Sequence, residues 1–398
     1  MKNSRNENHS ELTFTRFDRM TETYPDRPAV IYLGTTFTYA KLLDLTKRFA
    51  GSLADMDVGK GDRVMIYTAN CIQWLSGFLA IQRLGAVLVP VSPIYTSFEI
   101  EYMIKDSGAE TVICQDTNFC YVKETFETTD LKRAIVTNLA DLVPIWKRAL
   151  GFLFDRIPTG KVEKDDRVYR FRPLLRHEPR DEIAPLDPME DLSYILYTGG
   201  TTGFPKGVPG NHAGMTSYVN DVTDEVAAGH LKEGEDVYIA VNPLFHIMAL
   251  GLCMAVGLNK GNCTVLMPVP QVDSILESIE RYRARWMLGV PALYRMILEN
   301  DRLDQYDIGS LAYCYCGGDV LPVEVFNRWK ERFGIPIYQV YGSTEAGHVA
   351  YSRIDGSPKA TTIGKPLSSR ECMVVDAETL EPVPPGESGE LVVTSPYT

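Results

Sequence analysis

At 398 residues, with 45% hydrophobic content, 31 Gly and 24 Pro, the chain has room for two or three domain-sized units, and its composition is that of a folded α/β protein rather than a disordered or fibrous one. Lys and Arg number 40 against 52 Asp and Glu, a net charge of −12 with the signs interspersed, which makes nucleic acid a poor partner. The eight cysteines are scattered without a CxxC pair and read as reduced thiols of a cytosolic protein, Cys314 and Cys316 being two core residues on one strand face. The polar start MKNSRNENHSE has no apolar signal region, and the longest apolar stretch, 16 residues from Pro243 to Leu258, is too short to span a bilayer.

Taken in order, Leu12 to Thr23 reads as a first helix halted by Tyr24-Pro25. Ala29 to Leu33 and Thr36-Phe37 follow as a hairpin-like pair, and Thr38 caps a helix whose Leu42, Leu45, Phe49 and Leu53 recur at helical spacing. From Asp62, predicted strands Val64 to Tyr67, Ala86 to Val91 and Thr111 to Cys114 alternate with helices Ile72 to Arg83 and Ser97 to Asp106. Continuous apolar strands between helices predict a parallel sheet covered on both faces. Residues 138–185 break this rhythm. There Ile145 to Arg156 sets Lys and Arg on one side and Trp, Phe and Leu on the other, a pattern that suits a helix packed on its own sheet or one lying on a membrane.

The alternation resumes with predicted strands Val237 to Val241, Cys263 to Met267, Arg285 to Leu288, Leu311 to Cys316 and Ile335 to Val340. The helices between them are Phe245 to Leu258, Val272 to Tyr282, Ala292 to Glu299 and Val323 to Phe333. Two such halves leave a groove between their strand ends, the expected place for a ligand. Beyond Glu345, short strands (Cys372 to Val375, Leu391 to Thr394) broken by Pro382, Pro384, Pro385 and Gly386 predict a small β-barrel. The expected fold is therefore α/β, with two doubly wound β-α subdomains facing each other across a groove plus the small barrel. The expected divisions are residues 1–190 with an insertion at 138–185, residues 191–340 carrying the glycine-threonine loop, and residues 341–398 as the start of the barrel.

Two segments carry chemistry. Tyr197 to Val208 reads YTGGTTGFPKGV, a loop delivered by the apolar run Ser193 to Tyr197 that can turn backbone N–H groups, threonine hydroxyls and the Lys206 ammonium toward an oxyanion. It is not a Walker A loop, since Lys206 is followed by Gly207, and a Gly/Thr-rich loop taken alone also reads as a flexible connector. Tyr341 to Gly347 reads YGSTEAG directly after a predicted strand. A carboxylate beside hydroxyls there suits Mg²⁺, and the aromatic can stack on a purine.

From Thr198 to Gly207 the loop resembles, position by position, the [ST]-[SG]-G-[ST]-T-G-x-P-K-G phosphate loop of the adenylate-forming superfamily of acyl-CoA synthetases, adenylation domains and luciferases. Tyr341 to Glu345 resembles the superfamily's YG-x-[ST]-E motif. The resemblance implies ATP contacts from Thr198, Gly199, Gly200, Thr201, Thr202, Gly203 and Lys206. It places Tyr341 against adenine with Gly342 and Ser343 alongside, Thr344 on the α-phosphate, and Glu345 with the Thr198 hydroxyl on Mg²⁺. The implied catalytic set is Thr198, Lys206, Thr344 and Glu345. Gly317-Gly318-Asp319-Val320 resembles the segment whose backbone lines the adenine and acyl pockets, although Asp319 stands where a small residue is commoner. Phe245-His246 is similar to the PxFH element, whose histidine borders the acyl pocket; Met248, Leu250 and Gly317 would extend that wall, and His246 in place of an aspartate favours a plain carboxylic acid. His212 would support the loop, and His348 has no assignable partner.

The implied reaction is attack of a carboxylate on the α-phosphorus of ATP, giving acyl-adenylate and pyrophosphate, then thioester formation with coenzyme A. The loop and the amphipathic insertion look like those of long-chain fatty-acyl ligases, while medium-chain, branched or aromatic acids fit the same residues. The superfamily's Y-x-T-G-D segment, hinge and C-terminal lid with its lysine do not occur in these 398 residues, so the expectation is a large N-terminal domain, poorly active alone. Peripheral membrane contact through 145–156, a homodimer, and a cytoplasmic or membrane-associated location complete the expectations. Two rival readings stay open: a nonenzymatic nucleotide- or acyl-binding module, and a kinase or ATPase with a variant loop.

Overall fold

The computed structural model describes residues 11–153, 157–199, 204–354 and 357–395. After a helix at Thr13–Thr23 come strands β1 (Pro28–Tyr32) and β2 (Thr35–Thr38), then a helix at Tyr39–Asp55 whose first turn is capped by the Thr38 side chain accepting from Lys41 N–H. Strands β3 (Arg63–Tyr67), β4 (Val87–Pro90), β5 (Thr111–Gln115), β6 (Arg133–Thr137) and β7 (Val168–Arg170) follow, with helices at Ile72–Arg83, Ser97–Ser107, Phe119–Thr125 and Ile145–Leu153 between them. Next come β8 (Leu192–Tyr197), β9 (Gly207–Asn211) and a helix at His212–Asp221. Strands β10 (Val237–Ala240), β11 (Cys263–Leu266), β12 (Trp286–Gly289), β13 (Tyr313–Cys316) and β14 (Ile337–Ser343) then alternate with helices at Ile247–Leu252, Val272–Tyr282, Pro291–Leu298 and Val323–Phe333. The described chain closes with β15 (Gly347–Tyr351), β16 (Lys365–Pro366), β17 (Glu371–Val375) and β18 (Glu390–Thr394).

Two large sheets result, a seven-stranded one in the order β7-β6-β5-β3-β4-β8-β9 and a nine-stranded one in the order β16-β15-β14-β13-β12-β10-β11-β1-β2. Their central strands are parallel, and β2, β9, β15 and β16 run antiparallel at the margins. Side-chain alternation sorts each central strand between two cores. Val64 and Ile66 face the layer between the sheets while Met65 and Tyr67 face the outer helices of the seven-stranded sheet. In the nine-stranded sheet Tyr238 and Ala240 face that same middle layer, and Ile239 faces the outer helices. The middle layer is built around the helix Ile72–Arg83, every residue of which is buried, Trp74 and Phe78 included. Burial on both faces is why these strands read as unbroken apolar runs.

Sheet membership crosses the cut expected at residue 190. β1 and β2 join the nine-stranded sheet through a parallel pairing with β11, and β8 and β9, the stem of the glycine-threonine loop, join the seven-stranded sheet beside β4. The physical reason lies in two long-range bonds. Gln82 Nε2 donates to the Ser193 carbonyl at 2.9 Å and Ser193 Oγ donates back to Gln82 Oε1 at 2.7 Å, tying β8 to the central helix. Past β15, the region expected to begin a barrel adds β16 to the nine-stranded sheet and a separate antiparallel ribbon, β17–β18. The helix expected from Phe245 begins at Ile247 and passes into a π-helical turn at Cys253–Gly257.

The sheets are stitched together at the ends of their strands. Asn70, just past β3, donates to the carbonyls of Asn242 (3.0 Å) and Met267 (3.1 Å), which follow β10 and β11, and accepts from Leu244 N–H at 2.8 Å. One buried amide thus fixes the carboxyl ends of both sheets against each other, beside the hollow described next.

Candidate active site

A cavity of roughly 570 Å³ opens at the carboxyl ends of β10, β12, β13 and β14. Its wall is mostly apolar, with Val222 and Val226 from the π-helical turn after the helix His212–Asp221, Met248 and Leu252 from the next helix, and Leu293 and Met296 from the helix Pro291–Leu298. π-Helical turns commonly sit at functional sites. Of the residues singled out from the sequence, His246, Met248, Gly318, Tyr341, Gly342, Ser343 and Thr344 line this one hollow.

The hairpin carrying Tyr341 to Glu345 is shaped by a switch of partners. β14 starts parallel to β13 and from Val340 pairs antiparallel with β15, with a bulge between Tyr341 and Gly342. A Cβ on Gly342 would collide with the Gly347 carbonyl, so the bulge demands glycine. Gly317 is the second close approach: an added Cβ would lie 2.6 Å from Val340 Cγ2 and 3.0 Å from Met248 Sδ, so its absence lets β13 and β14 close behind the cavity wall. Glu345 is exposed at the hairpin tip, and Ala346 N–H donates to Ser343 Oγ at 3.0 Å beside it.

The glycine-threonine loop is held at its stem. Thr198 N–H donates to the Lys206 carbonyl at 3.1 Å, Tyr197 pairs with Gly207, and the Tyr197 hydroxyl donates to Asp106 Oδ2 at 2.7 Å. Phe204 stacks on Tyr102 with ring centroids 4.7 Å apart, so the helix Ser97–Ser107 carries the loop's outgoing limb. Thr198 is half-buried, while Gly199 and Lys206 are exposed. Gly200, Thr201, Thr202 and Gly203 lie outside the described residues.

One buried guanidinium lies behind the Glu345 hairpin. Arg370 is 8% exposed, its Nη2 lies 3.9 Å from Asp221 Oδ2, and the same nitrogen would be 3.6 Å from a Cβ on Gly347. It is also within electrostatic reach of Tyr194 on β8, whose hydroxyl burial pushes up to about 12 while Arg370 pulls the other way. Thr198, Gly199 and Lys206 are not among the residues that line the cavity.

The remaining sequence candidates are placed differently. Leu250 is fully buried in the middle core and is not part of the cavity wall. Gly317 is buried behind the wall, and Asp319 and Val320 are exposed, Asp319 Oδ1 accepting from Val320 N–H at 2.7 Å. His212 is buried beside Phe14 at the start of its helix, and burial pulls its pKa down to about 4. His246 is the N-cap of the helix Ile247–Leu252 and lines the cavity while remaining exposed to solvent, and partial desolvation lowers its pKa.

Two wall residues had no motif to announce them. Tyr218 donates to the Met248 carbonyl at 3.4 Å. His348 is 5% exposed, packs 5.5 Å from the Tyr218 ring, and neither of its ring nitrogens has a partner among the described residues. Burial, reinforced by Arg370 and opposed only weakly by the Ala350 backbone, pulls its pKa down to about 4. Its place three residues past Glu345 was the available clue.

The chain's likeness to known proteins runs along its length. The AMP-binding enzyme family matches residues 17–398. A long-chain-fatty-acid–CoA ligase of Salmonella typhimurium is 31% identical over 388 residues, covering 96% of this chain and 68% of that protein, and one of Bacillus subtilis is 28% identical over 379 residues, covering 94% and 67%. The chain therefore spans about two thirds of the length of these relatives. Among solved structures, an anthranilate CoA ligase in complex with anthranoyl-AMP superposes with a TM-score of 0.84 at 22% identity, covering 98% of this chain and 70% of that one. A long-chain-fatty-acid–CoA ligase from Archaeoglobus fulgidus gives 0.82 at 24% identity, covering 97% and 75%. At these identities the structural matches establish the fold.

Proposed function

This chain belongs to the AMP-binding enzymes, and from that premise we propose that it activates an apolar carboxylic acid as its acyl-adenylate, releasing pyrophosphate, for transfer to coenzyme A. The observation that carries the reading is that a single apolar hollow holds both Met248 with His246 and the Tyr341–Thr344 turn, so a hydrophobic acyl chain and a nucleotide would meet in one space. Among its relatives, those named as long-chain-fatty-acid–CoA ligases make a fatty acid the first substrate to try.

The chemistry follows from the residues. Negative charge grows on the phosphoryl oxygens as the carboxylate attacks the α-phosphorus, and the loop N–H groups, Lys206 and Thr344 would stabilise that charge more than the ground state. His246, with its pKa lowered by the cavity walls, stays neutral at pH 7. It would orient the attacking carboxylate by hydrogen bonding without neutralising the charge that makes it a nucleophile. No three His, Cys, Asp or Glu side chains gather as a metal cage among the described residues. The donors on offer, the Glu345 carboxylate and the Thr198 hydroxyl, are the sparse oxygen set that Mg²⁺ accepts when substrate phosphates complete its shell, and the ion would supply Lewis-acid charge there.

A second reading of the substrate rests on His348. A cavity wall with an unpartnered imidazole beside the Tyr218 ring favours a shorter or aromatic acid carrying a polar substituent over a plain alkyl chain. Both readings are tested by incubating the chain with ATP, Mg²⁺, coenzyme A and a panel of alkyl and substituted aromatic acids, then separating nucleotides by chromatography. Acid-dependent AMP and pyrophosphate support the proposal. ADP with inorganic phosphate would assign a kinase or ATPase instead, and nucleotide binding without acid-dependent turnover a binding module.

A further inference from the structure

The helix Ile145–Leu153 wears its polarity inside out. At 100° per residue its large apolar side chains share one arc, and they face solvent: Ile145 is 72% exposed, Trp146 61%, Leu150 46%, Phe152 36% and Leu153 76%. No residue of this helix is buried. Lys147 and Arg148 lie on the opposite side and bind the protein. Lys147 Nζ donates to the carbonyls of Leu33 (3.1 Å) and Gly34 (2.5 Å) and to Thr35 Oγ1 (3.2 Å), and Arg148 pairs with Asp141 at 3.5 Å. A surface helix bordered by water does the reverse.

Asp141, Leu142 and Val143, which lead into this helix, also form one wall of an open groove of roughly 540 Å³ that carries Lys41, Arg48, Arg172 and Arg176. Its two carboxylates are already engaged, Asp44 by Lys41 and Arg48 and Asp141 by Arg148. The guanidiniums of Arg172 and Arg176 have no ion pair or side-chain hydrogen bond among the described residues. In a chain of net charge −12, this is a local excess of positive charge in a groove that shares the segment leading into the exposed apolar helix.

We propose that this face docks on an anionic phospholipid bilayer, with the apolar arc in the interfacial layer and Arg172 and Arg176 against headgroup phosphates. Charge decides between occupants. A second copy of the chain would bring like-charged grooves together, and a neutral apolar partner would leave the arginines without counter-charge, whereas an anionic membrane meets both halves of the patch. No helix among the described residues is long and apolar enough to cross a membrane, so the contact is peripheral. The proposal stands apart from the ligase reading and survives its failure.

The chain carries its own probe. Of its four tryptophans only Trp146 is exposed, Trp74, Trp286 and Trp329 being at most 2% exposed, so a change in tryptophan emission on adding lipid reports this helix. Titration with phosphatidylcholine vesicles containing phosphatidylglycerol should shift the emission to the blue, reversibly with salt, while pure phosphatidylcholine should not. The double variant Arg172→Ala/Arg176→Ala should keep its circular dichroism and bind the anionic vesicles weaker by about fivefold per arginine removed. Leu153→Asp should abolish co-sedimentation with them. No shift with anionic vesicles, an equal shift with both vesicle types, or a lipid-free shift that grows with protein concentration would each overturn the proposal, the last in favour of self-association.

Discussion

Replacing His348 with phenylalanine should flatten the acid limb of this protein's stability. The imidazole is buried without a partner among the described residues, and its pKa is pulled down to about 4. In the unfolded chain the same group titrates near 6.5. Between those values the unfolded state binds a proton that the folded state refuses, so stability falls as pH drops through 6.5 and levels off below 4. Across the whole window this amounts to about 3 kcal/mol, and about 2 kcal/mol has been lost by pH 5. Phenylalanine occupies similar space and takes no proton. The variant should therefore gain about 2 kcal/mol on the wild type between pH 7 and pH 5, whatever its offset at pH 7. Asp221, whose carboxyl burial raises to about 7, drives stability the opposite way over that range, and His212 drives it the same way as His348. Both are unchanged by the substitution and cancel in the difference. Denaturant midpoints measured every half pH unit from 5 to 7.5 give the comparison. Parallel profiles for the two proteins would refute the reasoning, because they would mean that His348 finds a proton acceptor or water in the folded state.

Lys206→Ala and Glu345→Gln should each lower acid-dependent pyrophosphate release by about 10²–10³, with unchanged melting temperatures because both side chains are exposed; wild-type rates in a coupled pyrophosphate assay would detach these residues from the reaction. Gly317→Ala places a Cβ 2.6 Å from Val340 Cγ2 and 3.0 Å from Met248 Sδ, and should cost about 1–3 kcal/mol and push Met248 into the cavity. Thermal unfolding and a shift of substrate preference toward smaller acids check this, and an unchanged preference would separate Met248 from the acyl wall. Asp236, 1% exposed, accepts from the Arg285 guanidinium, from Trp286 Nε1 at 2.8 Å and from Lys232 N–H at 2.9 Å. Asp236→Ala should destabilise by about 3–5 kcal/mol, and a melting temperature within a degree of wild type would show that water replaces the carboxylate.

Much of the fold was legible because strands buried on two faces must be apolar at every position, which marks Val64 to Tyr67 or Val237 to Ala240 without knowledge of their partners. Which sheet a strand joins is a different kind of information. Nothing within Ser193 to Tyr197 records that Ser193 will exchange hydrogen bonds with Gln82, 111 residues earlier, so the sheet that the loop stem joins is not legible in its own segment. Leu250, whose N–H donates to the His246 carbonyl at 3.0 Å one turn away, turns into the middle core, a placement set by packing that its own segment does not record. His348 and Arg370 were silent because their significance lies in what surrounds them. One is defined by missing partners, the other by standing near Gly347 and Asp221, residues that share no segment of sequence. Motifs therefore nominate the groups that would touch nucleotide, because such groups recur as short strings. The wall that would select the acid is assembled from the ends of β10, β12, β13 and β14 and the turns beyond them, and that assembly is fixed by long-range bonds such as those of Asn70. Substrate choice in this chain should accordingly respond to substitutions at Tyr218, Met248, Met296 and His348 while leaving the pyrophosphate step's dependence on Lys206 and Glu345 intact.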